Sequence, residues 1–276
     1  MKKTLSIALV MLVIFSMLTG CTKSGNKKDS NISLKESPVS DFEYTISSTN
    51  AIIIDKYIGK DETVVIPKEI EGHEVAAIKM LAFTQNKTIE KVVFPDSVKQ
   101  IWDSAFLDCS NLKEVVFPKN LDFIGEEAFK NCTSLKEINL PENLKEIWPR
   151  AFYNCSSITK VNMPKSCIKY PYAFQLCTSL EELVFEDGTK TINSDAFGGA
   201  KSLETLTIPA SAKEIVGVTF FEKYSNLKTI KFLGDAPKVT LGSLVEINQG
   251  LTIYYKKGTI GWEDSPLAEK FTLIAE

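Results

Sequence analysis

One histidine, His73, is all the imidazole that this chain of 276 residues contains. Imidazole is the side chain that most readily moves a proton near neutral pH, and it is the commonest metal ligand. A catalytic role for His73 would need a nucleophile or carboxylate aimed at it, and its place in residues 69–75 reads as a solvent-facing turn. The cysteines lack the Cys–His spacing of a zinc site. There is no G-x-S-x-G, no phosphate-binding loop, no EF-hand loop and no dinucleotide fingerprint. Apart from residues 5–17 there is no long apolar run, so nothing else suggests a membrane span. Charge is also unremarkable: 32 basic residues face 35 acidic ones, which gives no electrostatic case for nucleic acid. Enzyme activity, metal and cofactor are therefore not expected.

What the chain has is a rhythm. Ala-Phe stands at Ala82-Phe83, Ala105-Phe106, Ala128-Phe129, Ala151-Phe152, Ala173-Phe174 and Ala196-Phe197, in steps of 23, 23, 23, 22 and 23 residues. A fixed period in this range means stacked units, each burying its apolar face against its neighbours. Such a lattice builds a surface. It does not by itself build a reaction centre.

Within one unit, Leu112, Val115 and Phe117 follow the L-x-x-L-x-L spacing of a leucine-rich repeat strand. The same columns hold Ile89, Val92 and Phe94, then Leu135, Ile138 and Leu140, then Ile158, Val161 and Met163. Alternation places Val115 and Phe117 inward and Val116 outward. Stacked units would merge these strands into one parallel sheet, with strands about 4.8 Å apart. Pro95, Pro118, Pro141, Pro164 and Pro209 end the strand, because proline offers no N–H to the ladder. Ile101, Ile124, Ile147, Ile192 and Ile215 and the Ala-Phe pairs fill the solenoid from the far side, where irregular or short 3₁₀ segments are expected.

These columns resemble the BspA-like leucine-rich repeat family, from about residue 41 to the C-terminus. The match is close in units such as Ala128-Phe129-Lys130-Asn131-Cys132-Thr133-Ser134-Leu135. The resemblance implies a β-rich solenoid of the α/β leucine-rich repeat class. It would have 23-residue repeats, a parallel β-sheet on one face and a cap at each end. We place the N-terminal cap at 41–78, the repeats at 79–234 and the C-terminal cap at 235–276. The N-terminal cap should include strand pairing between Tyr44 and residues 51–54. Three departures stand out: a shortened unit around Tyr170-Pro171-Tyr172, Glu186 in place of proline, and Phe220-Phe221 in place of Ala-Phe, with Tyr224 in the cysteine column.

The N-terminus reads as a processing signal over residues 1–20, with Lys2 and Lys3 before the apolar run. It ends in Leu18-Thr19-Gly20-Cys21, which resembles the bacterial lipoprotein box. That resemblance implies a mature chain beginning at Cys21 and carrying a thioether-linked diacylglycerol. Without Lys2 and Lys3, the 32 basic residues fall to 30 against 35 acidic ones, a net of −5. Residues 21–40 supply the lipidated cysteine and a polar tether, too poor in apolar residues to repay the entropy of folding. The tether would span roughly 25 Å as a coil.

Candidate sites are few. Cys109, Cys132, Cys155 and Cys177 fall three residues after the repeat phenylalanine and read as a buried file of thiols. Adjacent coils would also bring them within a disulfide's Cα range. Cys167 shares the column of Val98, Leu121 and Leu144 and reads as core. The outward column of the sheet, Val93, Val116, Asn139, Asn162, Val184, Thr207 and Lys231, lacks an aromatic anchor. Four residues before each repeat phenylalanine stand Trp102, Gly125, Trp148 and Tyr170. They form an aromatic edge, with a gap at the glycine that could receive a sugar ring or a partner's side chain. The alternative is that these rings only cover the flank of the coil.

The expectation is a non-catalytic binding protein, held by lipid at the outer face of the cell membrane. Adhesion to host or bacterial surface proteins or glycans is what the family resemblance implies. A structural or assembly component of the envelope is the competing reading.

Overall fold

The computed structural model describes residues 35–222, 225–239 and 247–276. The signal segment, Cys21, most of the tether and Tyr224 lie outside these residues. The described chain winds into a β-solenoid of about 9 turns with a period of ~23 residues.

Short β-branched runs closed by proline give each turn one strand of the main sheet. Thr63–Val65, Lys91–Val93, Glu114–Val116, Glu137–Ile138, Lys160–Met163 and Glu182–Phe185 pair in parallel, in chain order. Val92, Val115, Ile138, Val161 and Leu183 stand in register and point inward, all buried. Val116, between two inward residues, is 40% exposed. Each proline then anchors the turn that follows. The carbonyls of Pro95, Pro118, Pro141, Pro164 and Pro209 accept the N–H three residues on. Glu186 takes the same role toward Thr189 without a ring, so the turn needs the carbonyl and not proline itself.

The side that carries the isoleucines is more ordered than the expected irregular segments. Gln100–Ile101, Phe123–Ile124 and Glu146–Ile147 form a second parallel sheet behind His73–Ile78 and Ile52–Tyr57. Phe42–Ile46 closes it in antiparallel fashion, with Tyr44 opposite Ile54. Further along, Thr191–Asn193, Glu214–Val216 and Lys238–Val239 resume this sheet.

The Ala-Phe side has its own ladder. Leu81, Ser104, Glu127, Arg150 and Tyr172, two residues before the phenylalanine, have φ of 54–63°, and Gln85, Asp108, Asn131, Asn154 and Leu176, two after it, have φ of 56–61°. Between these left-handed residues the amides alternate in direction. Phe83, Phe106 and Phe129 N–H donate to the alanine carbonyl of the next coil, while intervening N–H groups bond three residues back within their own coil. Asparagine tolerates the left-handed region, and here its amide is also used. Asn131 Nδ2 donates to Asp108 Oδ1 at 2.7 Å, and Asn154 Nδ2 to Asn131 Oδ1 at 2.9 Å.

Inside, the repeat phenylalanines form one continuous stack. Centroids from Phe83 to Phe197 are separated by 4.5, 5.0, 5.2, 5.1 and 5.4 Å, with planes 1–14° apart. The file is as regular as the sequence period demands.

The ends differ from the repeats. Glu69–Ile70 pairs antiparallel with His73–Glu74 around Glu71 and Gly72, both at positive φ, as a two-residue hairpin turn requires. His73 therefore belongs to the strand His73–Ile78 rather than to an open loop, and its Nδ1 lies 2.9 Å from the Asn50 carbonyl oxygen. At the far end Thr252–Tyr255 and Thr272–Ala275 extend, in parallel, a separate four-stranded sheet that begins with Thr205–Ile208 and Thr229–Phe232. Trp262 is 3% exposed and packs on Tyr255 and Phe232 at 4.8 and 4.9 Å. Among the described residues no helix is long and apolar enough to cross a membrane.

Candidate binding surfaces

The four residues of the proposed aromatic edge do not share one environment. Trp102 and Trp148 follow inward isoleucines in the second sheet, so their side chains turn outward. Trp102 is half-buried and donates from Nε1 to Gln100 Oε1 at 3.0 Å. Trp148 is 37% exposed and donates to Glu146 Oε2 at 2.9 Å. In each case the partner sits two residues upstream on the same face.

Gly125 does not open a gap. Its coil approaches so closely that a Cβ would lie 2.5 Å from Asp103 Oδ1 and 2.6 Å from the Trp102 and Asp103 backbone. Its N–H donates to the Ile101 carbonyl at 2.7 Å, and Glu126 N–H reaches Asp103 Oδ1 at 2.8 Å. The glycine is there because the coils touch.

Tyr170 is the clearest correction. It stands four residues before Phe174, but Lys169 bridges in parallel to Glu146, so Tyr170 follows in the register of Ile147. The residue missing from this unit is lost between Tyr170 and Phe174, not before it. The ring points inward, 2% exposed, and its hydroxyl accepts from Asn193 N–H at 3.1 Å. Burial pushes its phenol up from the ordinary range. It cannot be a surface contact.

Phe123 takes its place. It occupies the outward column between Gln100 and Glu146, and its ring stacks on Trp148 at 5.7 Å and 24°. Lys169 Nζ covers the Trp148 ring at 5.7 Å. The column alone could have revealed Phe123, since the two-residue alternation of Ile124 makes its neighbour an outward residue. The result is a ridge of Trp102, Phe123 and Trp148 on the outer face of the second sheet.

Several lysines and carboxylates elsewhere pair from coil to coil. Lys91–Glu114, Lys113–Glu90, Lys145–Asp122, Lys160–Glu182 and Lys228–Glu204 close at 2.5–2.7 Å. Their exposure makes each worth little in stability, but together they keep the surface evenly charged.

The buried thiols make a second ladder. Cys109, Cys132, Cys155 and Cys177 are free and donate to the carbonyls of Phe83, Phe106, Phe129 and Phe152 at 3.1, 3.3, 3.1 and 3.4 Å. Burial pushes Cys109 and Cys177 up to about 12, and Cys132 and Cys155 well above their ordinary value. Cys167 is buried beside them in sequence but in the Val98, Leu121 and Leu144 file, and burial raises it to about 12 as well. Such thiols are neither nucleophiles nor metal ligands at neutral pH. Among the described residues no three His, Cys, Asp or Glu side chains are grouped to hold a metal.

The outward face of the main sheet holds a feature its residue column did not suggest. No ladder joins Glu182–Phe185 to Thr205–Ile208, although each strand pairs normally on its other side. At this break a cleft of about 780 Å³ runs along both strands, from Glu181 to Asp187 and from Thr205 to Ala210. Only the second sheet carries pairing across the same junction, through Thr191–Asn193 and Glu214–Val216.

Comparison with known proteins agrees with this architecture. The model of the BspA type Leucine rich repeat region matches six copies, over residues 62–171 and 168–244. A leucine rich repeat protein of T. pallidum is 29% identical, with a TM-score of 0.59, over 72% of this chain and 86% of that one. A leucine rich cell surface protein of Faecalibacterium prausnitzii is 21% identical, with a TM-score of 0.63, over 88% of this chain and 73% of that one. A leucine-rich repeat protein of Bacteroides ovatus is 18% identical, with a TM-score of 0.58, over 88% and 77%; these last two likenesses speak to the fold alone. No curated protein matches the chain. With most of its length matched by the repeat model and its coils stacked at the same period, the chain belongs to the BspA-type leucine-rich repeat family.

Proposed function

We propose that this protein is a non-catalytic adhesin-like binding protein, lipid-anchored at Cys21 and displayed on the outer face of the cell membrane. The solenoid from about residue 41 presents its flanks to host or bacterial surface proteins or glycans, and the polar segment before it holds it clear of the lipid headgroups. The observation that carries the reading is the Trp102–Phe123–Trp148 ridge. Aromatic rings are the anchors that dominate binding energetics, and here they stand together on the outer face of the second sheet. Trp148 is already braced by Phe123 and Glu146, so little side-chain entropy is lost when a partner docks on it. The surface character of the F. prausnitzii relative accords with this placement.

The test is a binding screen of the chain from Lys35 onward against immobilised matrix proteins and glycans. Trp102→Ala combined with Trp148→Ala should abolish the binding found while leaving the circular dichroism spectrum and melting unchanged. Unaltered binding by that double variant removes the ridge as the contact. Protease shaving of intact cells separates an adhesin, which must be reached from outside, from an internal component of the envelope. Cys21→Ala should release the protein from the membrane fraction.

A further inference from the structure

The break in the main sheet is one side of a boundary that runs round the whole coil. Residues up to Phe197 lie before it, and residues from Gly199 onward lie after it. In the main sheet no ladder joins Glu182–Phe185 to Thr205–Ile208. On the Ala-Phe side, Phe197 meets Phe220 at 6.0 Å and 21°, where the five earlier ring contacts lie at 4.5–5.4 Å and 1–14°. The amide rungs stop there too. Gln85, Asp108, Asn131, Asn154 and Leu176 N–H each donate to a carbonyl of the next coil, but among the described residues Gly199 N–H has no such backbone partner. Only the second sheet is closed, with Thr191–Asn193 in register with Glu214–Val216.

We propose that this boundary is a hinge, with the Thr191–Asn193 ladder as its spine, about which the coils from Thr205 onward flex as one body. Each interface in a repeat array contributes separately to cohesion, so the one missing its rungs on two sides yields first. The main-sheet side has no backbone bond to break. Glu182 and Glu186 N–H donate to the Thr159 and Met163 carbonyls, so by alternation the amides of Leu183 and Phe185 point into the seam. The Glu204 and Ile208 carbonyls accept from Lys228 and Leu233 N–H, which leaves the amides of Thr205 and Thr207 facing it from the other bank. The cleft of about 780 Å³ brings water to these groups.

What else crosses is sparse. Ser202 Oγ donates to the Thr178 carbonyl at 2.9 Å and Ser211 Oγ to the Thr189 carbonyl at 2.9 Å. Asp195 Oδ1 accepts from Val218 N–H and Thr219 Oγ1 at 3.0 Å, close to the spine. The chain itself passes between the bodies through Gly198 and Gly199, the latter at φ 80°, where earlier coils carry side chains such as Lys130 and Asn131. Such a pair absorbs a change of backbone angle at little cost. Leu183 and Phe185 stay 5% and 6% exposed, so apolar packing still seals the interior and limits the swing to a flexing of coil spacing. Trp102, Phe123 and Trp148 lie wholly in the first body. The hinge therefore re-aims the C-terminal coils without deforming the ridge, and it stands or falls separately from the adhesion reading.

The experiment compares two pairs of spin labels on the outward column of the main-sheet side, in the chain from Lys35 onward. Val93→Cys with Val184→Cys spans four coil steps inside the first body, and Asn139→Cys with Lys231→Cys spans four steps across the boundary. Both separations are about 19 Å between backbones. The parent, whose thiols at Cys109, Cys132, Cys155, Cys167 and Cys177 are buried, is the unlabelled control. Double electron–electron resonance should give a distribution about twofold wider or more for the crossing pair, with added population at longer distance. Hydrogen exchange followed by NMR should show the amides of Leu183, Phe185, Thr205 and Thr207 exchanging about a hundredfold faster or more than those of Val161 and Met163, which sit in a closed ladder. Equal widths for the two label pairs would overturn the hinge. So would equal protection of the seam amides and their laddered counterparts.

Discussion

Replacing Phe129 with alanine removes a ring from the middle of the stacked file. Phe129 is fully buried, lies 5.0 Å from Phe106 and 5.2 Å from Phe152 with planes 4° and 3° apart, and meets Phe117 edge-on at 5.6 Å. The coils above and below are held by backbone ladders on three sides, so they cannot collapse into the space left. A buried Phe→Ala change in so stiff a site should cost about 4 kcal/mol, near the middle of the measured range. Phe129→Leu restores most of the volume but not the two stacked contacts, and should cost roughly 1–3 kcal/mol. Urea unfolding followed by circular dichroism and by tryptophan emission reads both values. Because stability in a repeat array passes between neighbours, the alanine variant should also broaden or split the transition. A loss below about 1.5 kcal/mol for Phe129→Ala would refute the continuous, rigid file on which the interior rests.

Two further outcomes follow from the local geometry. Leu81 holds φ 63° and is 48% exposed, so Leu81→Gly relieves a left-handed strain of roughly 1 kcal/mol without emptying the core. The variant should be as stable as the parent or slightly more so; a clear loss of melting temperature would show that the left-handed residues are not strained. The buried thiols should ignore a thiol reagent at pH 8 in the native protein and react together on unfolding. Their folded values are raised from about 9 to about 12 for Cys109, Cys167 and Cys177. The stability they contribute is therefore whole below pH 9 and is lost as pH rises from 9 toward 12. Denaturant midpoints should fall across that window, and a flat profile there would contradict the burial.

Much of this was legible from spacing alone. Phe83 to Phe197 had to form one file once their period matched a single coil, because equivalent positions of stacked coils face the same way. The inward and outward alternation around Val115 and Val116 follows from strand geometry in the same manner. Where the period slips, spacing loses its meaning. Counting back from Phe174 puts Tyr170 beside the tryptophans, while the bridge from Lys169 to Glu146 puts it in the isoleucine file. Counting could not say on which side of Tyr170 the missing residue was lost.

The residues themselves therefore determined the solenoid, its period, its aromatic interior and its thiol file, since each depends only on which positions recur. Tertiary structure alone decided the rest: that Gly125 serves close approach of two backbones, that Phe123 braces Trp148, and that the main sheet parts between Phe185 and Thr205. All three depend on how one coil settles on the next across distances of a few ångströms. A repeat pattern names the layers of such a stack. The seams between them emerge only when the layers are laid down.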